Sequence, residues 1–388
     1  MVDLVAEHGY QGVRVRGLTR LAGVSTRSFY KHFANVEECF LFTYESLLDA
    51  ALRRARDSQR EVDDWEEGLR SALRSVLEDV AGNPRQARLV LVEAYALGLG
   101  MRRQMSSARD GFERLLTKPL ARTPHEALAP EQVGKAIVGG LTRVARVRIL
   151  DRGHPDLTQI ERDLGDWMLG LYSERRLALE PFNPPARVAN SDPSKAAEVP
   201  CAADFAGSLG DDRGRILAAT ARLALAGGYS SLTTAGIRAE AGVSRRRFHA
   251  HFIGVEDCFL EMVEGLSASA AAQADEQGNG AGRRSRLEVA IGALCAEIAR
   301  NPAAAQLIFS EIFAPGRGGL QCQDRLVSRA AHRLRESRLG GQSGEVAAEA
   351  SIAAAWRLTQ AEVEAGRARS LSRLVPLLTL ISLAPAAT

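Results

Sequence analysis

A chain of 388 residues, 46% hydrophobic and 25% charged, has ordinary globular composition and length for two or three domains of about 150 residues each. Its net charge of +3 excludes a polyelectrolyte that coats nucleic acid along its whole length, so a basic site has to be local. No run approaches the ~20 apolar residues of a membrane span, and the start Met1-Val2-Asp3-Leu4 lacks the regions of a secretory signal, so the chain reads as cytoplasmic with no membrane partner. Five cysteines, Cys39, Cys201, Cys258, Cys295 and Cys322, show no CxxC spacing; they read as buried apolar thiols and not as a disulfide scaffold or a zinc site.

The first predicted element belongs to a segment that recurs. Residues 9–41 align without a gap on residues 228–260, with 16 of 33 positions identical, where roughly two would match by chance. Within 1–48, helix 1 is truncated: Met1 aligns with Thr220, so the counterparts of Ile216, Leu217 and Ala219 are missing. A short second helix follows, with Arg14 in the place of the capping Thr233 of the other copy, and Ser25 caps a third. On that third helix the 100° step sends Phe29 and Phe33 inward, Arg27 and Lys31 to the opposite face, and Ser28 and Tyr30 to its flanks, with Thr26 at the start.

Residues 49–177 are expected to be a helical body. Helices over 131–151 and 157–177 are candidates for a four-helix interface with the other copy, with the small residues Gly139 and Gly140 permitting close approach. Met101, Met105, Phe112 and Trp167 are candidate ligand-lining residues, although an apolar side chain at helical spacing is more often plain core. Glu93 lies inside an apolar run and therefore has to be paired, protonated or facing an opening, with a structural hydrogen bond the favoured role. Residues 178–210, with Pro181, Pro184, Pro185, Pro193 and Pro200, read as a linker.

Residues 211–266 repeat the head in complete form. Apolar residues between Arg215 and Ala226 predict helix 1, stopped at Gly227-Gly228; Thr233 caps a short helix that Gly242 ends, and Ser244 caps a third, Arg245 to Phe252. Two short helices joined by a tight glycine-containing turn make a helix-turn-helix, whose second helix can enter a major groove. With Phe248 and Phe252 inward, Arg246 and Ala250 face out, flanked by Arg247 and His249, with Arg245 near the start. Three arginines and no acid between Ser244 and Phe252 are the local footprint of a phosphate and base-edge reader. Residues 267–388 form the second body, with interface candidates over 344–365 and 370–383 and ligand-lining candidates Phe309, Phe313 and Trp356. RLVLVEAYALGLG recurs there as QLIFSEIFAPGRG, placing Glu311 on Glu93. Nothing alternates with period two, so the fold is expected to be all-α.

AGVSTRSFYKHF and AGVSRRRFHAHF, each preceded by Gly-Tyr and followed by VEECF or VEDCF, resemble the helix-turn-helix of the TetR family of bacterial transcription regulators. The resemblance covers the heads and implies two tandem units, each a helix-turn-helix head with a helical ligand-binding and dimerisation body. Because members are usually homodimers, it implies an intramolecular pseudo-dimer on double-stranded DNA, although a chain that dimerises again, giving four heads, stays open. His249 stands where the family's usual phosphate-anchoring tyrosine, Tyr30 here, is found, and Val36 and Val255 stand where many relatives carry a lysine. The function so implied is a ligand-responsive repressor with an apolar small-molecule effector and no other cofactor. Unequal helices predict an asymmetric or imperfectly palindromic operator. A helical small-molecule-binding or structural protein in which one head has lost DNA binding is the other reading. No phosphate loop, GxSxG or HExxH is present, and His249 and His251 diverge on their helix, so neither an enzyme nor a metal site is expected.

Overall fold

The computed structural model describes residues 1–97, 109–117, 130–151, 156–172, 211–277, 283–337 and 344–383. Every regular element among them is helical, the all-α architecture that the alanine, leucine, arginine and glutamate-rich stretches predict. None of these helices is long and apolar enough to cross a membrane. The linker expected over 178–210 lies outside the described residues, as do Met101, Met105 and Cys201. The described residues within Met1–Ala178 and Ala330–Ala355 make one compact unit, and those within Leu179–Arg329 and Trp356–Leu383 make another.

In the first unit α1 (Val2–Gly12), α2 (Val15–Ala22) and α3 (Thr26–His32) form the head. Leu4, Val5, Val13, Leu18, Phe29 and Phe40 close a small core there. From the head α4 (Val36–Arg60) runs into the body, followed by α5 (Trp65–Gly82), α6 (Pro84–Leu91), α7 (109–117), α8 (Pro130–Val144, continued as a π-helical turn Ala145–Asp151) and α9 (Leu157–Gly170). Asn35, Asp64 and Asp156 each accept a first-turn N–H with the side chain, which fixes where α4, α5 and α9 begin. Charge pairs tie α5 to its neighbours, Asp79 to Arg54 at 2.7 Å, Arg70 to Asp166 at 2.5 Å and Arg74 to Glu161 at 2.8 Å.

The second unit repeats the order with α10 (Asp212–Gly227), α11 (Thr234–Ala241), α12 (Arg245–His251), α13 (Val255–Gln277), α14 (Arg283–Arg300) and α15 (Pro302–Phe309). Helix α10 begins three residues ahead of the apolar stripe that predicted it, because the Asp211 side chain accepts the Gly214 N–H at 2.7 Å. There follow α16 (Arg317–Ser337), α17 (Glu345–Glu364), a 3₁₀ turn (Ala368–Leu374) and α18 (Val375–Leu383). The helix expected over 370–383 thus becomes α-helical only at Val375, where Pro376 sits in a first turn that asks no N–H of it. Glu264 of α13 receives Arg325 and Arg329 of α16, each at 2.7 Å. Burial pushes the Cys258, Cys295 and Cys322 thiols up to about 12, so these behave as apolar core groups.

Divisions between the units fall inside α16, between Arg329 and Ala330, and inside α17, between Ala355 and Trp356. The start of α17 groups with the first unit because of the side chains that it meets. Arg148 donates two hydrogen bonds to the Glu349 carboxylate, at 3.1 and 2.9 Å, and reaches Glu345 at 3.1 Å. Trp167, wholly buried, donates its Nε1–H to Ser351 Oγ at 3.0 Å. A Cβ at Gly140 would strike the Trp167 ring and the Ala350 carbonyl, so the approach of α8 to α17 depends on that glycine.

Candidate nucleic-acid interface

Each head builds its exposed helix with the same local devices. Helix α2 ends at Gly23 and α11 at Gly242, both left-handed with φ of 66° and 64°. A Cβ at either would meet nothing within 4 Å, so glycine serves the backbone conformation and not the space. The following serines cap as predicted: Ser25 Oγ accepts the Ser28 N–H at 3.1 Å and Ser244 Oγ the Arg247 N–H at 3.3 Å. Thr233 caps α11 through the Gly236 N–H at 3.0 Å. Arg14 provides no side-chain cap to α2; its guanidinium donates instead to the carbonyls of Gln11 and Val13.

Phe29 and Phe248 are the buried anchors of α3 and α12. Thr26, Arg27, Tyr30 and Lys31 are exposed beside the half-buried Ser28, and Arg245, Arg246, Arg247 and His249 are exposed on α12. Tyr30 stands edge-on to Phe29 at 5.4 Å and His249 edge-on to Phe248 at 5.2 Å, so the histidine occupies the tyrosine's place in the duplicate. Among the arginines the structure draws a distinction that the spacing did not. Arg247 meets Asp212 of α10, Nε to Oδ2 at 3.2 Å. A hydrogen bond from Arg215 and the Arg247 charge hold the Asp212 carboxyl below its ordinary range. The run from Ser244 to Phe252 contains no acid, yet the fold brings one to it. Arg245 and Arg246 project from the same helix with no ion pair to any described residue.

The recurring glutamates join head to body within each unit. Gly9 and Gly228 adopt φ of 65° and 73° with extended ψ, a region essentially reserved for glycine. This turns the next N–H toward the body, where Tyr10 donates to Glu93 Oε2 at 3.0 Å and Tyr229 to Glu311 Oε2 at 2.6 Å. The structural hydrogen bond expected of these acids is the one observed, accepted by a buried Glu93 and a half-buried Glu311. Glu93→Ala is expected to strip hydrogen-exchange protection from the Tyr10 amide by roughly tenfold or more, given ~1–3 kcal/mol for a donor left without its partner. Glu93→Gln, which keeps an acceptor oxygen, is expected to retain most of the protection. Equal loss in the two variants would refute the clasp.

Beside Glu93 the first body encloses a cavity of about 170 Å³, walled by α4, α5, α6, α7 and α8. Leu73, Leu91, Ala94 and Phe112 are among its apolar walls, and Arg109 contributes a basic one. Of the residues expected to line a pocket, Phe112 is at this wall; Trp167 instead meets Ser351, and its neighbour Met168 reaches the cavity. In the second unit Phe309 and Trp356 stack on each other at 4.7 Å, and Phe313 is buried. Leu73, Ala94 and Arg109 carry no signal in sequence that separates a wall from a core or a surface.

Two capped helix-turn-helix heads, each clasped to a helical body, define a helix-turn-helix regulator in duplicate. The profile described as "Bacterial regulatory proteins, tetR family" matches residues 2–41 and again residues 216–262, so the chain carries two TetR-like heads in tandem. Among solved structures it is similar to the fatty acid degradation regulator FadR from Bacillus halodurans, at 22% identity over 44% of this chain and 94% of that one, with a TM-score of 0.41. It is also similar to the TetR family transcriptional regulator PfmR from Thermus thermophilus, at 22% identity over 43% and 93% of the two chains, with a TM-score of 0.36.

Proposed function

We propose that the chain is a ligand-responsive repressor whose two heads bind double-stranded DNA as an intramolecular pseudo-dimer, on an asymmetric or imperfectly palindromic operator. The observation that carries this reading is that one chain holds two capped, exposed helices of unlike sequence. Thr26, Arg27, Ser28, Tyr30 and Lys31 would meet one half-site and Arg245, Arg246, Arg247 and His249 the other, with the caps Ser25, Thr233 and Ser244 close to the backbone. On such an operator the two heads would read successive major grooves about 34–36 Å apart. The pseudo-dimer is supported by the start of α17, which comes from the second copy yet packs on α8 and α9 of the first through Arg148, Trp167 and Gly140. The response to a small apolar effector is supported by the cavity beside the Glu93 clasp.

A homodimer reads a palindrome because its two helices are the same; these two are not. Selection of bound sequences from a random pool is expected to return half-sites that differ at two or more base pairs, each mismatch costing about 1–3 kcal/mol. A preferred site with perfect two-fold symmetry would count against unequal readout.

A further inference from the structure

We propose that the two heads divide the work on DNA: the first supplies most of the sequence-independent grip on phosphates, and the second, whose flanking arginines are tied back by its own acids, supplies most of the discrimination between bases. This rests on the DNA-binding reading above and goes beyond it, since two unlike helices could still contribute equally. The gapless repeat sets the heads against each other residue by residue. On α2 of the first head Arg16 and Arg20 stand one turn apart and exposed; their counterparts on α11 are Ala235 and Ala239. Lys31 of α3 becomes Ala250 in the second copy. The charge contacts of the first head, His8 with Glu7 and Asp3 with Arg85, leave Arg16, Arg20, Arg27 and Lys31 without an acid partner among the described residues. The second head carries more arginines but answers most of them. Arg213 meets Glu261 at 2.6 Å, Arg222 meets Glu240 at 2.8 Å, and Arg215 and Arg247 converge on Asp212. The cations left over are Arg238, half-buried on α11, and Arg245 and Arg246, exposed together on α12.

The two sets of cations suit different tasks. The first helix of a helix-turn-helix crosses the DNA backbone while the second enters the groove, so Arg16 and Arg20 are placed for phosphates. Lys31 adds a point charge without bidentate geometry. Attraction of this kind is the same for every sequence. Arg245 and Arg246 lie on the groove-entering helix, where a guanidinium can grip a guanine edge with two hydrogen bonds. Asp212 stands beside that helix with Arg247 Nε at 3.2 Å. It repels phosphate and holds Arg247 from it, which lowers the hold on any sequence while the base contacts of Arg245 and Arg246 remain. Disfavouring the wrong partner in this way raises specificity without a new attractive contact. Asp212 is thus a specificity-determining residue that touches no base, and the first head has no counterpart to it.

Anisotropy titrations of the full chain against the duplex selected from the random pool, and against a scrambled duplex of the same length, test this. Arg16→Ala with Arg20→Ala is expected to weaken both duplexes by the same factor, at least about tenfold near physiological salt, and to lower the salt slope by about 1.8, at 0.9 for each of two phosphates. Arg245→Ala with Arg246→Ala is expected to weaken the selected duplex at least about tenfold more than the scrambled one. Asp212→Asn is expected to bind the scrambled duplex about threefold tighter with a slope steeper by about 0.9, a gain that Arg247→Ala on the same background removes. Circular dichroism shows which variants remain folded, and the two arginine pairs, being exposed, test the division even where Asp212→Asn loosens α10. Three results each overturn the division while DNA binding stands: a loss confined to the selected duplex without Arg16 and Arg20, an equal loss on both duplexes without Arg245 and Arg246, or no tighter binding by folded Asp212→Asn. An unaltered chain that binds neither duplex overturns the DNA-binding reading and the division with it.

Discussion

Replacing Arg245 and Arg246 together with alanine is expected to weaken DNA binding by at least about a hundredfold, and to lower the slope of log affinity against log salt by about 0.9 for each phosphate no longer neutralised. Both side chains are exposed on α12, a helix fixed at its start by the Ser244 cap and underneath by Phe248. Their removal therefore subtracts charge and hydrogen-bond donors without touching the core. A bidentate arginine–guanine pair discriminates by about 1–3 kcal/mol, so removing two such arginines already reaches a hundredfold at about 1.4 kcal/mol each, in the lower part of that range. Arg247→Ala is the internal control. Its guanidinium already faces Asp212 at 3.2 Å, and part of what it could offer a phosphate is spent on that pair. Its loss is expected to weaken binding less than removal of either neighbour. Anisotropy titrations at three or more salt concentrations measure both the affinity and the slope. An unchanged slope in the double variant would remove α12 from the interface.

The difference between Arg247 and its neighbours marks the limit of what one sequence reveals. The caps Ser25, Thr233 and Ser244, the left-handed glycines at 23 and 242 and the inward phenylalanines act over three or four residues, and local signals of that range are legible in a sequence. Asp212 lies 35 residues from Arg247, and only the packing of α10 against α12 brings them together. Glu93 and Glu311 were legible as structural acids because a carboxylate inside an apolar run has to find a donor, but the donor, a backbone N–H over 80 residues away, could not be named. Pocket and core were harder still. Phe112, Trp167, Phe309 and Phe313 follow the same helical spacing, and whether such a side chain faces a void, a serine or another ring depends on the volume of its neighbours. The division of α17 between the units has the same origin: alanine-rich residues 346–355 fit any close helix contact, and Arg148, Trp167 and Gly140 decide which one forms.

Arg148→Ala and Glu349→Ala are each expected to lower the unfolding free energy of the first unit by about 3–5 kcal/mol, the cost of leaving one charge of a buried pair unpaired. Arg148 is 12% exposed and Glu349 6%. Burial opposes the arginine's charge, yet hydrogen bonds and the charges of Glu349 and Glu345 outweigh it and hold its ionisation above the ordinary range. Glu345 is half-exposed and can turn to water, so Glu345→Ala is expected to cost under about 1 kcal/mol, as a surface pair does. The double change Arg148→Met with Glu349→Leu removes both charges and keeps the bulk; it is expected to recover most of the stability, since apolar replacements of a buried ion pair are often neutral or better. The two partners lie 201 residues apart, one in each copy. A single unpaired charge therefore loosens the start of α17 from α8 and α9, and under the pseudo-dimer reading it also weakens binding to a two-half-site operator more than binding to an isolated half-site. Denaturant unfolding of the four variants measures the first effect, and titration of full and half operators the second. A loss below about 1 kcal/mol in both Arg148→Ala and Glu349→Ala would show that this pair does not hold the start of α17 in place.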